Sequence, residues 1–439
     1  MTLNLHAGCK SRVMEALTRV LANIKVNNNM FVDTSSTIDL VSVDSILPQN
    51  GKLRDQFVDY IGDYPLAKFV LNSLGQELWE LDQFSSDAPP VNLSEMEGYD
   101  DPSSVAARLL DSFDTLPWTY QLTFPLPNQL SGLLPPDVDE FLLTPAVRIA
   151  RPTERFMHEF PLAEAENERQ IPRYRGGLLA GLPSSKPRSW DAKILYLQVQ
   201  TDGFVGRYGG TSTITEAERL VRAFCGLGIA LHLFSHEHKF RQSEKKLVFE
   251  VHKRKTDGSW STTEHRLDVT DTIDRGLSGL EIDTLGGKLA SEVDKAAWAK
   301  RILRDVSAVF SAGKKAESIV LAAQWLFDSH AGRDELLSFV QAMVVLEILL
   351  GDKKLSDDIG VGELLRNRCA CLIGGSQEQR AQLLQDFNNI YRVRSQIVHS
   401  GKHKLTREER GLFYRLHWMC FRVIQRELEL LKADLNNSS

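Results

Sequence analysis

From Ser291 to Leu435 the chain sets six helical periodicities in succession, and no other feature restricts its fold as much. "SEVDKAAWAKRILRDVSAVF" opens on a serine cap with an acid three residues on, and "AESIVLAAQWLFDSH" runs to Gly332. "RDELLSFVQAMVVLEILLGD" closes at Gly351, and "VGELLRNRCACLIGG" stops at two glycines. "SQEQRAQLLQDFNNIYRVRSQIVHSG" ends at Gly401, and the last segment opens with a capping box, Thr406 with Glu409. Short connections between amphipathic helices predict a compact helical bundle over 291–435.

The remainder reads differently. Residues 1–185 mix helical stretches ("VMEALTRVLANI", "LRDQFVDYIGDYPLAKFVLNSLGQELWEL") with proline-rich joints ("SSDAPPVNLSEMEGYDDPSS", "FPLPNQLSGLLPPDVDEF"). "PRYRGGLLAGLPSSKPRS" reads as a linker. Residues 190–287 read as a small α+β domain. "KILYLQVQ" and "IALHLF" are strands around the helix "TITEAERLVRAFCGL", and "KLVFEVHKRKTDGSWSTTEHRLDV" is a hairpin turning at "TDG". The expected class is α+β overall: an all-α C-terminal bundle after a mixed α/β region and a largely helical N-terminal region.

Composition restricts the setting. The start lacks the apolar core of a signal peptide, and the longest apolar runs fall far short of a membrane span. Five scattered cysteines, Cys9, Cys225, Cys369, Cys371 and Cys420, point to free thiols in a reducing cytoplasm rather than disulfides or a zinc site. The net charge of -6 gives no global sign of a polyanion partner. It is uneven, however. Glu77 to Asp114 holds ten acids against Arg108 and reads as a solvated loop, whereas Arg392 to Arg410 holds four arginines and two lysines against Glu408 and Glu409. His232, His236 and His238 lie close together without the spacing of a metal site and read as exposed and incidental. A metallohydrolase built on them would carry bound metal; no metal or cofactor is expected.

Two charges interrupt apolar stripes. The fifth helix runs Leu383, Phe387, Ile390, Arg394, Ile397, and the third runs Leu336, Val340, Met343, Glu347, Leu350. An unpaired charge at either place would be strongly destabilising, so each calls for a partner or a cleft. One outcome is an ion pair of Glu347 with Arg394 or Arg392 that only fixes the bundle. His399, at the end of the fifth helix before Gly401, adds chemistry. An imidazole titrates near neutrality, and beside a fixed guanidinium it supplies what phosphodiester cleavage needs: a proton shuttle and a stabiliser of phosphorane charge. Residues five apart stand about 140° out of line on a regular helix. Convergence on one phosphate therefore needs a distorted last turn or a second protomer across a two-fold axis, and the second doubles the positive field in one groove.

"YRVRSQIVHSGK", with the upstream "MVVLEILLGD", resembles the HEPN superfamily, and within it the Apea-like branch. Arg394, four intervening residues and His399 match its R-x4-6-H signature; Ser395 stands at the polar position after the arginine, Tyr391 matches the aromatic three before it, and Glu347 matches the upstream glutamate. The resemblance covers Ala316 to Leu431. It implies a bundle that pairs two motifs in one cleft of a homodimer or higher even oligomer. It also implies metal-independent endoribonuclease chemistry, in which the RNA 2′-hydroxyl attacks the adjacent phosphate to give a 2′,3′-cyclic phosphate. By that resemblance His399 transfers protons, Arg394 holds the phosphate, and Ser395 orients the site, with Glu347, Tyr391 and Arg392 in support and Lys402 and Lys404 on the RNA. Relatives act in abortive infection or as toxins, on RNA such as tRNA or mRNA, under phage or host triggers. Gly401 replaces the tyrosine that the nucleotidylation-regulated toxin branch carries two residues after the histidine. The alternative is a non-catalytic HEPN module that binds nucleotide or RNA or serves only dimerisation.

Overall fold

The computed structural model describes residues 3, 5–81, 83–162, 189–207, 211–236, 246–284, 291–352 and 360–437. Most of the linker read at "PRYRGGLLAGLPSSKPRS" lies outside them. Where the sequence suggests three consecutive regions, packing groups the chain into two units, each assembled from separated stretches. One comprises 1–122, 200–217 and 251–267; the other comprises 123–199, 218–250 and 268–439. The class is α+β, as the sequence indicates.

The first unit holds α1 (Ala7–Leu21), α2 (Thr34–Asp44), α3 (Lys52–Tyr60), α4 (Pro65–Glu80) and α5 (Pro102–Asp114). A small antiparallel sheet joins them, with β1 (Lys25–Asn27) between β2 (Phe31–Val32) and β3 (Val91–Asn92) and Val26 opposite Val32 and Val91. α1 buries Val13, Leu17 and Leu21, four residues apart, on one stripe. The single helical stretch read from residue 53 to 81 divides at Pro65, which cannot donate an intrahelical bond and so begins a helix rather than continuing one. Buried Asp44, at the end of α2, caps α4 by accepting from the amides of Leu66 and Ala67 at 2.9 Å each. Burial pushes its carboxyl up, against the pull of those two amides. Phe57, Phe69, Phe113 and Phe204 pack together in the core. The acidic stretch is not one loop. Glu77 lies in α4 and pairs with Arg108, while Asp111 and Asp114 lie in α5 and hold Lys10.

The largest sheet has the order β10–β9–β4–β7–β6–β5, formed by β4 (Trp118–Pro125), β5 (Glu140–Thr144), β6 (Val147–Ala150), β7 (Tyr196–Gly203), β9 (Val248–Arg254) and β10 (Trp260–Asp268). β6 lies antiparallel to both neighbours, Glu140 facing Ala150 and Val147 facing Val199. The expected β9–β10 hairpin forms: the Lys255 amide donates to the Ser259 carbonyl at 2.8 Å across the "TDG" turn.

"IALHLF" is not a strand throughout. Ile229 and Ala230 finish α7 (Ser212–Ala230), His232 turns the chain at φ 59°, and only β8 (Phe234–His236) is extended, paired with β11 (Leu280–Ile282). The apolar run is shared because the end of α7 and the strand both need burial, and periodicity cannot separate them over six residues.

In the second unit the short α6 (Glu154–Glu159) and α8 (Asp271–Ser278) accompany the six helices read from the sequence: α9 (Glu292–Ser311), α10 (Glu317–Ala331), α11 (Glu335–Leu350), α12 (Val361–Ile373), α13 (Gln377–His399) and α14 (Arg407–Asn437). The Ser291 hydroxyl caps the Asp294 amide at 3.1 Å. The Thr406–Glu409 box closes in both directions, at 2.7 and 3.3 Å. Glycines follow α10, α11 and α12 as their caps.

Candidate functional site

α13 is wound without interruption to His399. Its buried stripe, Leu383, Phe387, Ile390 and Val393, ends where Arg394 begins. The buried face of α11 runs through Phe339, Ala342, Met343, Leu346 and Leu350, turned from the stripe read in the sequence, since Leu336 and Val340 are only half-buried. Glu347 therefore sits on the border of that face. The two borders meet: Arg394 Nη2 lies 3.2 Å from Glu347 Oε1, with side chains 23% and 27% exposed. Part of each group stays hydrated, so the desolvation cost of the pair is smaller than at a fully buried site. The contact is an ion pair without an aligned hydrogen bond, and Arg394 Nε is buried with no acceptor. A guanidinium presents five donors in a planar fork matched to carboxylate or phosphate, so this one retains donors for a second anion.

Around this pair the other motif residues take distinct places. Tyr391 packs its ring over Gly362 of α12, where an added Cβ would lie 2.9 Å from Cε1. Ser395 is half-buried, and Arg392 is exposed beside Asn389 at 3.3 Å. His399 is exposed at the last helical position, and no hydrogen bond or ion pair engages its ring among the described residues. The chain leaves the helix through Ser400 and Gly401, whose φ of 65° is the left-handed conformation that lets a helix stop. The Gln396 carbonyl accepts from the amides of Ser400 and Lys402 at 3.0 and 3.4 Å, so the last turn is closed in a regular way.

Lys404 is exposed. Lys402 is engaged: its Nζ meets Glu409 Oε1 at 2.8 Å, with both side chains largely buried. Burial works against the ionised Glu409, yet Lys402 and the Thr406 donors overcome it and hold the carboxyl below its usual range. The capping-box signature names Glu409 as a cap but says nothing of Lys402, because the pairing depends on the path of the five residues between Gly401 and Arg407.

Three histidines of the second unit, His236, His330 and His417, form a column. His236 is half-buried with its ring 5.8 Å from that of His330, which stacks on His417 at 4.2 Å and 17°. The Ser329 hydroxyl gives its one hydrogen to the Ser338 carbonyl at 2.6 Å, so it accepts from His417 Nε2–H at 2.9 Å. His232 pairs with Asp283 at 3.4 Å, and His238 lies outside the described residues. Among the described residues no three or more His, Cys, Asp or Glu side chains gather so as to hold a metal, and no helix is long and apolar enough to cross a membrane.

No family model matches the chain, and no match was found among curated proteins or solved structures.

Proposed function

We propose that the C-terminal bundle is a metal-independent endoribonuclease of the HEPN type that cuts RNA through 2′-hydroxyl attack and leaves 2′,3′-cyclic phosphate and 5′-hydroxyl ends. The observation that carries this reading is Arg394: a guanidinium at the edge of the core, in an ion-pair contact with Glu347 and with 23% of its side chain open to solvent. A scissile phosphate accepts hydrogen bonds from the exposed side of that guanidinium, and as charge builds on the phosphorane those bonds strengthen. His399, exposed five residues on, takes the 2′-hydroxyl proton or delivers one to the leaving 5′-oxygen. Because α13 stays wound to His399, the 140° offset is not relieved within one chain. The reading therefore joins Arg394 of one protomer and His399 of its partner in one cleft of a homodimer. Antiviral or toxin-like defence is the setting the resemblance suggests, with tRNA or mRNA as the polymer.

The test is incubation of the purified chain with total RNA and tRNA in EDTA. Cleavage with cyclic-phosphate ends, reduced at least about a hundredfold by His399→Ala, supports the reading. RNA left intact by the wild-type chain overturns it.

A further inference from the structure

The outward strip of α14 carries Arg407, Gly411, Tyr414, Trp418 and Arg422 at spacings of four, three, four and four, which puts all five on one side of the helix. All are exposed. Tyr414 is 78% open and Trp418 38%, unusual for two large aromatics one turn apart on a helix whose other side is core. At Gly411 nothing stands within 4 Å of where a Cβ would be, so the strip is clear beside the tyrosine. The indole is already set in place. Arg415 Cζ lies 4.5 Å from the centre of the Trp418 ring, and the same guanidinium is tied to Asp386 at 2.8 Å.

We propose that this strip is a stacking track for single-stranded RNA, leading to or from the joint that carries His399, His403 and Lys404. The choice of RNA rests on the ribonuclease reading above. Three observations select the occupant. The five positions of the strip hold two arginines and no acid, Glu408 and Glu409 lying off it on the helix, and this complements a phosphate backbone. A second copy across a two-fold axis would bring the same acid-free strip against itself, arginine toward arginine, with no carboxylate to receive them. Spacing then selects single strands: Tyr414 and Trp418 are about 6 Å apart along the axis, well beyond the ~3.4 Å separation of bases in a duplex strand. Bases stacked on both rings must be splayed, as a single strand allows and a duplex does not.

The experiment measures anisotropy of a fluorescent 2′-O-methyl oligoribonucleotide of about twelve nucleotides, which the proposed chemistry cannot cut, with the full chain and its variants. Tyr414→Ala and Trp418→Ala should each weaken binding on the order of tenfold. Arg407→Gln and Arg422→Gln should each lower the slope of log affinity against log salt by about 0.7. A duplex of the same sequence should bind more weakly and ignore both alanine variants. Unchanged single-strand affinity in the two variants, or no binding by the wild-type chain, overturns the proposal. So does a loss accompanied by a change of oligomeric state in sedimentation, since the strip is then a contact between copies. The two readings fail separately: cleavage that persists unaltered in Tyr414→Ala and Trp418→Ala removes the track alone. Stacking-dependent binding without cleavage by the wild-type chain removes the nuclease and leaves the track.

Discussion

Arg394 meets Glu347 in a single ion-pair contact while its Nε stays buried without an acceptor, which is poor for stability. The 23% of the side chain left open gives an anion access to the guanidinium. Glu347→Gln keeps the shape and removes the charge. Because each side chain of the pair is about a quarter exposed, the loss is closer to that of a surface pair than of a buried one: about 1 kcal/mol in unfolding free energy. The same change frees the guanidinium, so RNA binding should tighten several-fold, and the gain should vanish when Arg394→Ala is added. Weaker binding in Glu347→Gln would mean that the carboxylate positions the arginine instead of competing for it. A second residue, remote in sequence, has its own pH signature. Lys253 Nζ lies 3.0 Å from the centre of the Trp118 ring, and burial pushes its ammonium down to about 8. Its folded-state value lies below the usual 10.5, so the destabilisation it imposes is full below about pH 8 and is relieved as pH rises toward 10.5. Lys253→Met should therefore raise the melting temperature at pH 7 more than at pH 10. An equal gain at both would exclude the linkage.

Elements show how unevenly the fold can be read. The helices of the bundle were legible because each carries its own punctuation: Ser291, Thr406 and the glycines after α10, α11 and α12 act within one turn. The paired charges were legible as a conflict, a charge on an apolar stripe. That Glu347 lies at the border of the α11 face was not, because only packing against neighbours fixes the rotation of a helix as apolar as "LLSFVQAMVVLEILL". β5 and β6 are not legible in the sequence for a different reason. With five and four residues they are too short for alternation to stand out, and their pairing depends on a distant strand, β7. Helix approach is another property that no periodicity reveals. At Gly226 of α7 an added Cβ would lie 1.8 Å from the Ala323 carbonyl of α10, a clash with backbone that no rotamer relieves. Gly226→Ala should destabilise by about 3 kcal/mol in denaturant unfolding, while Gly411→Ala, in open space on α14, should cost nothing and gain slightly in helix propensity.

For the whole molecule, the offset between Arg394 and His399 makes a statement about assembly that mixing can check. Arg394→Ala and His399→Ala should each be inactive alone. If every cleft takes its arginine from one chain and its histidine from another, random re-pairing leaves half the dimers mixed, each with one complete cleft. Mixing should then restore roughly a quarter of wild-type activity. No recovery after verified exchange of subunits would place both groups in one chain.

The second packing unit is assembled from three separated stretches, which has a consequence for anyone who would work with the bundle alone. Ser291 looks like a natural place to cut, since a cap begins there and six helices follow. Yet Trp298 donates to the His232 carbonyl, Ser307 to that of Leu143 and Gln425 to that of Ala230, all three acceptors lying upstream of the cut. An excised segment would keep every helix and lose the surfaces those helices lean on, so its silence in an RNA assay would report the excision and not the chemistry.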